Sequence, residues 1–299
     1  MRIGELLRQG RPCISFEFFP PKTDEGVEKL MATVKALRIL NPGFVSVTYG
    51  AGGSNRARTL EVTKRIKNEL DIESMAHVTC VGHAEGELRA LFGELAEAGI
   101  ENVMALRGDP PKGQERFVAA EGGFRYASAL LALLARDFPF SIGAAGYPEK
   151  HLEAPSFEAD VENAVRKVRA GAEFIVTQFF FDNEAYFAYV ERLRAAGVDV
   201  PVIPGIMPIT NYESIGPMTK MSGALIPQRL LAELEARSDE PEAIAELGVA
   251  FAALQCRDLL ARGAPGLHFY TLNRSPAARA VVSALIATRG VHDFSAALT

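Results

Sequence analysis

Eight short apolar runs alternate with eight segments of helical periodicity along this chain, and that alternation restricts the fold more than any other feature. The runs are Cys13–Phe19, Phe44–Tyr49, Ser74–Thr79, Asn102–Arg107, Phe140–Ala145, Glu173–Phe179, Pro201–Ile206 and Gly266–Thr271. They are rich in Val, Ile and Phe, as strands covered on both faces should be. Between them, Asp24–Leu40, Ala84–Ala98, Phe124–Phe138, Ser156–Ala170 and Asn183–Ala196 carry apolar residues at helical spacing. Asp24 and Ser156 read as N-caps, and Gly99, Gly171 and Gly197 as C-terminal stops. Eight βα units in 299 residues match a (β/α)8 barrel, expected as a single domain over 1–299. An open doubly wound sheet is the alternative. It would usually show a Gly-rich fingerprint after the first strand. Here that strand ends in Phe19-Pro20-Pro21, and Gly50-Ala51-Gly52-Gly53 lacks the GxGxxG spacing. Pro208 to Ala264 is longer than one helix requires. It predicts an extra helix pair before the last strand, with a break near Ser238-Asp239-Glu240-Pro241.

A net charge of −5 argues against sequence-independent nucleic-acid binding, which needs a basic surface. Cys13, Cys80 and Cys256 form no CxxC pair and read as free thiols of a reducing compartment. His77, Cys80 and His83 fit no usual zinc spacing. The N-terminus lacks the apolar core of a signal peptide, and Ala127–Ala135 is too short to span a bilayer. A soluble, cytoplasmic protein is expected.

Catalytic groups of such barrels sit at the carboxyl ends of the strands, and side-chain parity decides which residues face inward. Ser15 and Glu17 share a face, opposite Phe16 and Phe18. Ser46 and Thr48, then His77 and Thr79, share faces in the next two runs, and Tyr49 opens a loop. Later runs deliver Arg107-Gly108-Asp109, Gln178, and the stretch His268 to Arg274. A carboxylate in an apolar strand costs free energy unless paired or protonated, and one kept near neutral can act as a general acid. No lysine ends a strand, and there is no GxSxG elbow or P-loop. The residues alone suggest a large flat heterocycle bound near an acid. They leave open a cofactor-free lyase or aldolase using Glu17 as base, and a non-catalytic binding module.

The segments FEFFPPK (16–22), VSVTYGAGG (45–53), HVTC (77–80), ALRGDPP (105–111), AAGYPEKH (144–151), TQFFFD (177–182), IPGIMPIT (203–210) and HFYTLNR (268–274), taken together, resemble methylenetetrahydrofolate reductases. That resemblance implies a barrel holding non-covalent FAD. It implies ping-pong reduction of methylenetetrahydrofolate to methyltetrahydrofolate with NADH or NADPH, feeding methionine biosynthesis. It places Glu17 as the general acid and Asp109 beside the flavin ring as a second catalytic group; the residues themselves, a carboxyl among Phe16, Phe18 and Phe19, predict a Glu17 pKa raised by desolvation. It puts Thr48, Tyr49, Ala51, His77, Arg107, Gly108 and Asp109 at flavin positions. Tyr126, Ala127, Tyr147, His151, Ala154, Asp160, Asn163, Arg166 and Lys167 join them. Gln178 and Arg274 fall on folate positions, Gln178 also serving the nicotinamide. The resemblance implies no resident metal and assembly into a homo-oligomer. With the chain ending at 299, the regulatory region of eukaryotic relatives and its adenosylmethionine inhibition are not expected. The stretch Tyr212–Met221 departs from bacterial relatives, and Met218 stands where some of them place an aromatic residue against the ligands.

Overall fold

The computed structural model describes residues 1–49, 56–110 and 117–296, with side chains as far as residue 287. Its strands are β1 (Cys13–Phe18), β2 (Phe44–Val47), β3 (Ser74–Thr79), β4 (Asn102–Leu106), β5 (Ser141–Gly146), β6 (Phe174–Phe179), β7 (Val202–Ile206) and β8 (Gly266–Tyr270). All pair in parallel, in sequence order, and β8 pairs with β1 to close the ring. The expected (β/α)8 barrel is what forms. β1, β2, β4 and β8 end one or two residues earlier than the apolar pattern suggests, which puts Phe19, Tyr49, Arg107 and Thr271 in loops, and β5 runs one residue further, to Gly146.

The helices are α1 (Ile3–Leu7), α2 (Asp24–Leu37), α3 (Arg56–Leu70), α4 (Glu85–Glu97), α5 (Ala127–Asp137), α6 (Phe157–Arg169), α7 (Asn183–Ala195), α8 (Tyr212–Ser222), α9 (Gln228–Glu235), α10 (Pro241–Ala261) and α11 (Pro276–Ala296). Ser156 caps α6 as expected, its hydroxyl accepting from the Ala159 amide. The cap of α2 is Thr23 rather than Asp24, because the Thr23 hydroxyl reaches the Gly26 amide. Asp24 instead lies in the first turn, where its charge suits the helix dipole. After Leu37 the helix tightens into a 3-10 turn, Arg38–Leu40, and stops at left-handed Asn41 before Pro42. α5 begins three residues later than Phe124. Gly123 pairs with Ala84 in an isolated bridge, and Tyr126, just before the helix, is extended. Gly99, Gly171 and Gly197 all take positive φ at their helix ends. α8 and α9 are the extra pair, and the break at Ser238–Glu240 separates them from α10, the ordinary crossover helix.

Two apolar layers hold this frame. Phe16, Phe18, Val45, Val47, Leu267 and Phe269 turn outward and pack under the helices. Inside the barrel, Phe44, Met75, Met104, Phe174, Val176 and Ile203 form a plug with Ile3 and Leu7 of α1. α1 seals the amino-terminal mouth, where the Ile3 amide donates to Asn102 Oδ1 and the Gly4 amide to Ser141 Oγ. With that end closed, ligand access is left to the carboxyl ends of the strands. No helix among the described residues is long and apolar enough to cross a membrane.

Candidate active site

Glu17 lies at the centre of the carboxyl-end mouth, 9% exposed. Register sets it beside Ser46 on β2 and Tyr270 on β8. Strand parity turns Phe16 and Phe18 into the helix layer, so the surroundings of the carboxylate are polar. Its Oε2 is 3.4 Å from Nε2 of both His77 and His268. Burial is the largest single influence on Glu17 and pushes its pKa up. The two imidazoles and the Ser46 hydroxyl together outweigh it, holding the carboxyl below the ordinary glutamate range. The expectation of a carboxyl raised by neighbouring phenylalanines is therefore corrected. His77 shifts down, chiefly because burial penalises its charged form.

Around Glu17 opens a cavity of about 430 Å³ lined by Thr48, Tyr49, His77, Gly108, Asp109, Tyr147 and Gln178, all singled out from the sequence, and by Met218 of α8. Thr48 Oγ1, Thr79 Oγ1 and His77 Nε2 are buried in its wall with no hydrogen-bond partner among the described residues. Unpaired buried polar atoms are expensive, so a wall carrying three of them suits a flat ligand with hydrogen-bonding edges. Asp109 is exposed at the rim. The turn behind it depends on Gly108, at φ +87°, where a Cβ would stand 2.7 Å from Val81 Cγ1.

A second cavity, of about 660 Å³, shares Leu106, Ala145 and Tyr147 with the first, so the two form one elongated cleft. Its walls bring together Arg107, Tyr126, Ala127, His151, Ala154, Asp160, Asn163, Arg166 and Lys167, also singled out from the sequence. Arg107 makes a bidentate ion pair with Glu153 at 2.5 and 2.7 Å. Lys167 Nζ donates to the Ala145 carbonyl at 2.8 Å and lies 5.4 Å from the Tyr147 ring centre. Burial lowers the Lys167 pKa to about 8, although Asp160 opposes the shift. The same burial raises Asp160. Three cationic side chains beside a tyrosine ring suit the anionic segment of an elongated ligand.

Arg274 stands apart from both cavity walls, exposed on the loop after β8. Ala51 lies outside the described residues. Cys13, Cys80 and Cys256 are buried free thiols. Cys80 Sγ donates to the Leu106 carbonyl, and His83 Nε2 is 3.0 Å from the Tyr49 hydroxyl. Sequence reasoning missed His268 as a partner of Glu17, and Asn273 as a fastener. Asn273 Oδ1 accepts from the Phe19 amide while its Nδ2 donates to the Phe19 carbonyl, tying the loops after β8 and β1 together. Leu272 and Asn273 hold left-handed backbone to do so. Inward parity in His268-Phe269-Tyr270, carried across the seam to Ser15 and Glu17, is the signal that could have found His268.

A (β/α)8 barrel with an acid at its centre and a long, partly cationic cleft at its carboxyl face defines a ligand-binding enzyme class of this fold. Comparison with known proteins narrows it. The family model for methylenetetrahydrofolate reductase matches residues 2–286, and the chain belongs to that family. It is 39% identical over 277 residues to 5,10-methylenetetrahydrofolate reductase of Escherichia coli K12, covering 93% of this chain and 92% of that one. It is 40% identical over 283 residues to methylenetetrahydrofolate reductase (NADH) 1 of Arabidopsis thaliana, covering 91% of this chain. The chain spans about half the length of that relative, 48%. Among solved structures, a Clostridium thermocellum protein that binds two copies of 5-methyl-5,6,7,8-tetrahydrofolic acid superposes with a TM-score of 0.63 at 16% identity. The alignment covers 94% of this chain and 96% of that one, and it shows the shared fold.

Proposed function

We propose that this protein reduces 5,10-methylenetetrahydrofolate to 5-methyltetrahydrofolate, using NADH or NADPH and non-covalently bound FAD in two successive half-reactions at one cleft. The observation that carries this reading is the Glu17 carboxylate facing a cavity whose wall holds the buried Thr48 and Thr79 hydroxyls with no hydrogen-bond partner among the described residues. These residues fit the edge of a flavin ring, and Arg107, Arg166 and Lys167 fit the anionic middle of the dinucleotide. Bound FAD would supply the hydride chemistry. Gln178, in the wall beside Phe179, would hold the nicotinamide and then the folate in turn. Asp109 at the rim would bias the redox potential through its charge.

Glu17 has the step that needs a proton. Opening the methylene bridge of the folate breaks a carbon–nitrogen bond, and a neutral amine leaves far more readily than its anion. A carboxyl at the centre of the cleft can deliver that proton to the departing nitrogen. The nicotinamide half-reaction needs no proton from Glu17. In the Glu17→Gln variant, stopped-flow absorbance should therefore show flavin reduction by NADH near the normal rate. Reoxidation by methylenetetrahydrofolate should fall by about 10²–10⁴. A variant that reoxidises normally would refute the assignment. The wild-type protein should purify yellow and release FAD on denaturation.

A further inference from the structure

β6 is irregular where it enters the cleft. Val176 pairs with Ile203 of β7 and Phe179 with Gly205, so three steps along β6 match two along β7. The extra residue falls at Thr177-Gln178 and makes a β-bulge. Its effect is to set two successive residues, Gln178 and Phe179, in the wall of one cavity. A regular strand would send them to opposite faces.

What holds the bulge comes from two strands away. The Gly205 amide donates to Thr177 Oγ1 at 2.9 Å. The Thr177 carbonyl turns into the space over Gly205, where its oxygen would stand 2.2 Å from a Cβ. Tyr270 reaches that space from β8, and its hydroxyl donates to the carbonyl at 2.7 Å. A Cβ on Gly205 would also stand 2.6 Å from Tyr270 Cε2, so only glycine leaves room for the crossing. Thr177 is fully buried, and solvent does not replace this donor. Burial raises the Tyr270 pKa well above its ordinary value, so the hydroxyl keeps its proton.

The bulge also fixes what Gln178 offers to a ligand. Its Oε1 accepts from the Phe179 amide at 3.0 Å. An N–H cannot donate to an NH2 group, so the orientation of the side-chain amide is settled, and the two donors of Nε2 are left for the cleft. We infer that Tyr270 is a positioning residue for Gln178: its hydroxyl, crossing the gap at Gly205, holds the Thr177 carbonyl and so fixes the bulge that presents the Gln178 amide. The inference rests on the folate reductase reading for the identity of the ligands, but its first test does not.

The first test is amide hydrogen exchange of 15N-labelled Tyr270→Phe, which keeps the ring packed against Phe179 and His268 and loses only the hydroxyl. The Phe179 and Gly205 amides should exchange at least about tenfold faster than in wild type, while the amides of β2 to β4 keep their rates. Unchanged exchange at Phe179, or equal acceleration throughout the barrel, would overturn the inference whatever the protein catalyses. The second test is steady-state kinetics. Tyr270→Phe should raise the KM values of NADH and of methylenetetrahydrofolate about tenfold each, since Gln178 holds both in turn, and change kcat less than about threefold. In a Gln178→Ala background the same substitution should add less than about twofold to either KM. Effects that multiply in the double variant, or a loss of kcat with both KM values kept, would show Tyr270 acting without Gln178 and overturn the inference. Absence of folate turnover in the wild type, with the exchange result intact, would overturn only the proposed substrate.

Discussion

At the scale of single residues, the cleft is built from charges held where solvent cannot fully support them. Lys167 shows this most directly. Its pKa is about 8 in the folded protein against 10.5 for a lysine in water, so between those values the unfolded chain binds more protons. Stability must then rise with pH across that window, by about 2–3 kcal/mol from this group alone. The variant Lys167→Met has no such charge to desolvate. Its unfolding free energy relative to wild type should fall by about 2 kcal/mol between about pH 7.5 and 10, measured by urea denaturation at each pH. A constant difference would mean that Lys167 is well solvated. Arg274 is the opposite case, a cation exposed to solvent on the loop after β8. If it meets the folate, Arg274→Ala should raise the folate KM about tenfold and leave NADH oxidation unaffected. Steady-state kinetics with each substrate varied in turn would show it, and parallel loss in both would place Arg274 outside the folate site.

At the scale of elements, the loops after the strands carry the special geometry and the strands themselves are plain. Gly108→Ala should cost about 1–3 kcal/mol, because it combines left-handed backbone with the contact to Val81. Thermal unfolding would register that cost, and an unchanged melting temperature would show that the turn relaxes freely. At the other mouth, Ile3→Ala should cost about 2–4 kcal/mol through the cavity it leaves in the barrel plug. The cleft is far away, so the KM values of that variant should stay put. The apolar runs made the strands legible in the sequence, since each is buried on both faces and bounded by turns. α1 was not legible: five residues are too few to show a period, and their role appears only when the barrel mouth is there to receive them. Thr23 was overlooked beside the more acidic Asp24. For the site, strand parity located Glu17, Thr48 and His77 on the cavity face, and Gln178 was placed there by its position at a strand end. It could not forecast the Glu17 environment. That depends on His268, which comes from the far end of the chain and enters by sheet closure.

At the scale of the whole molecule, ligand binding and barrel closure share one set of loops. Tyr147 stands in both cavities, so a long ligand filling the cleft would bridge β4, β5 and α6 at once. If FAD is that ligand, free FAD at about a thousand times its dissociation constant should add about 4 kcal/mol to stability. Differential scanning fluorimetry would read this as a concentration-dependent rise in melting temperature, and indifference to FAD would count against the cofactor. The seam between β1 and β8 has a consequence of another kind. Glu17 leaves the ribosome first, and the imidazole beside it and the Asn273 clasp on Phe19 are translated more than 250 residues later. A nascent chain cut short anywhere before β8 therefore holds the acid without its neighbour and the cleft without its last wall. The surroundings of the acid are complete only once β8 has been translated and closes on β1.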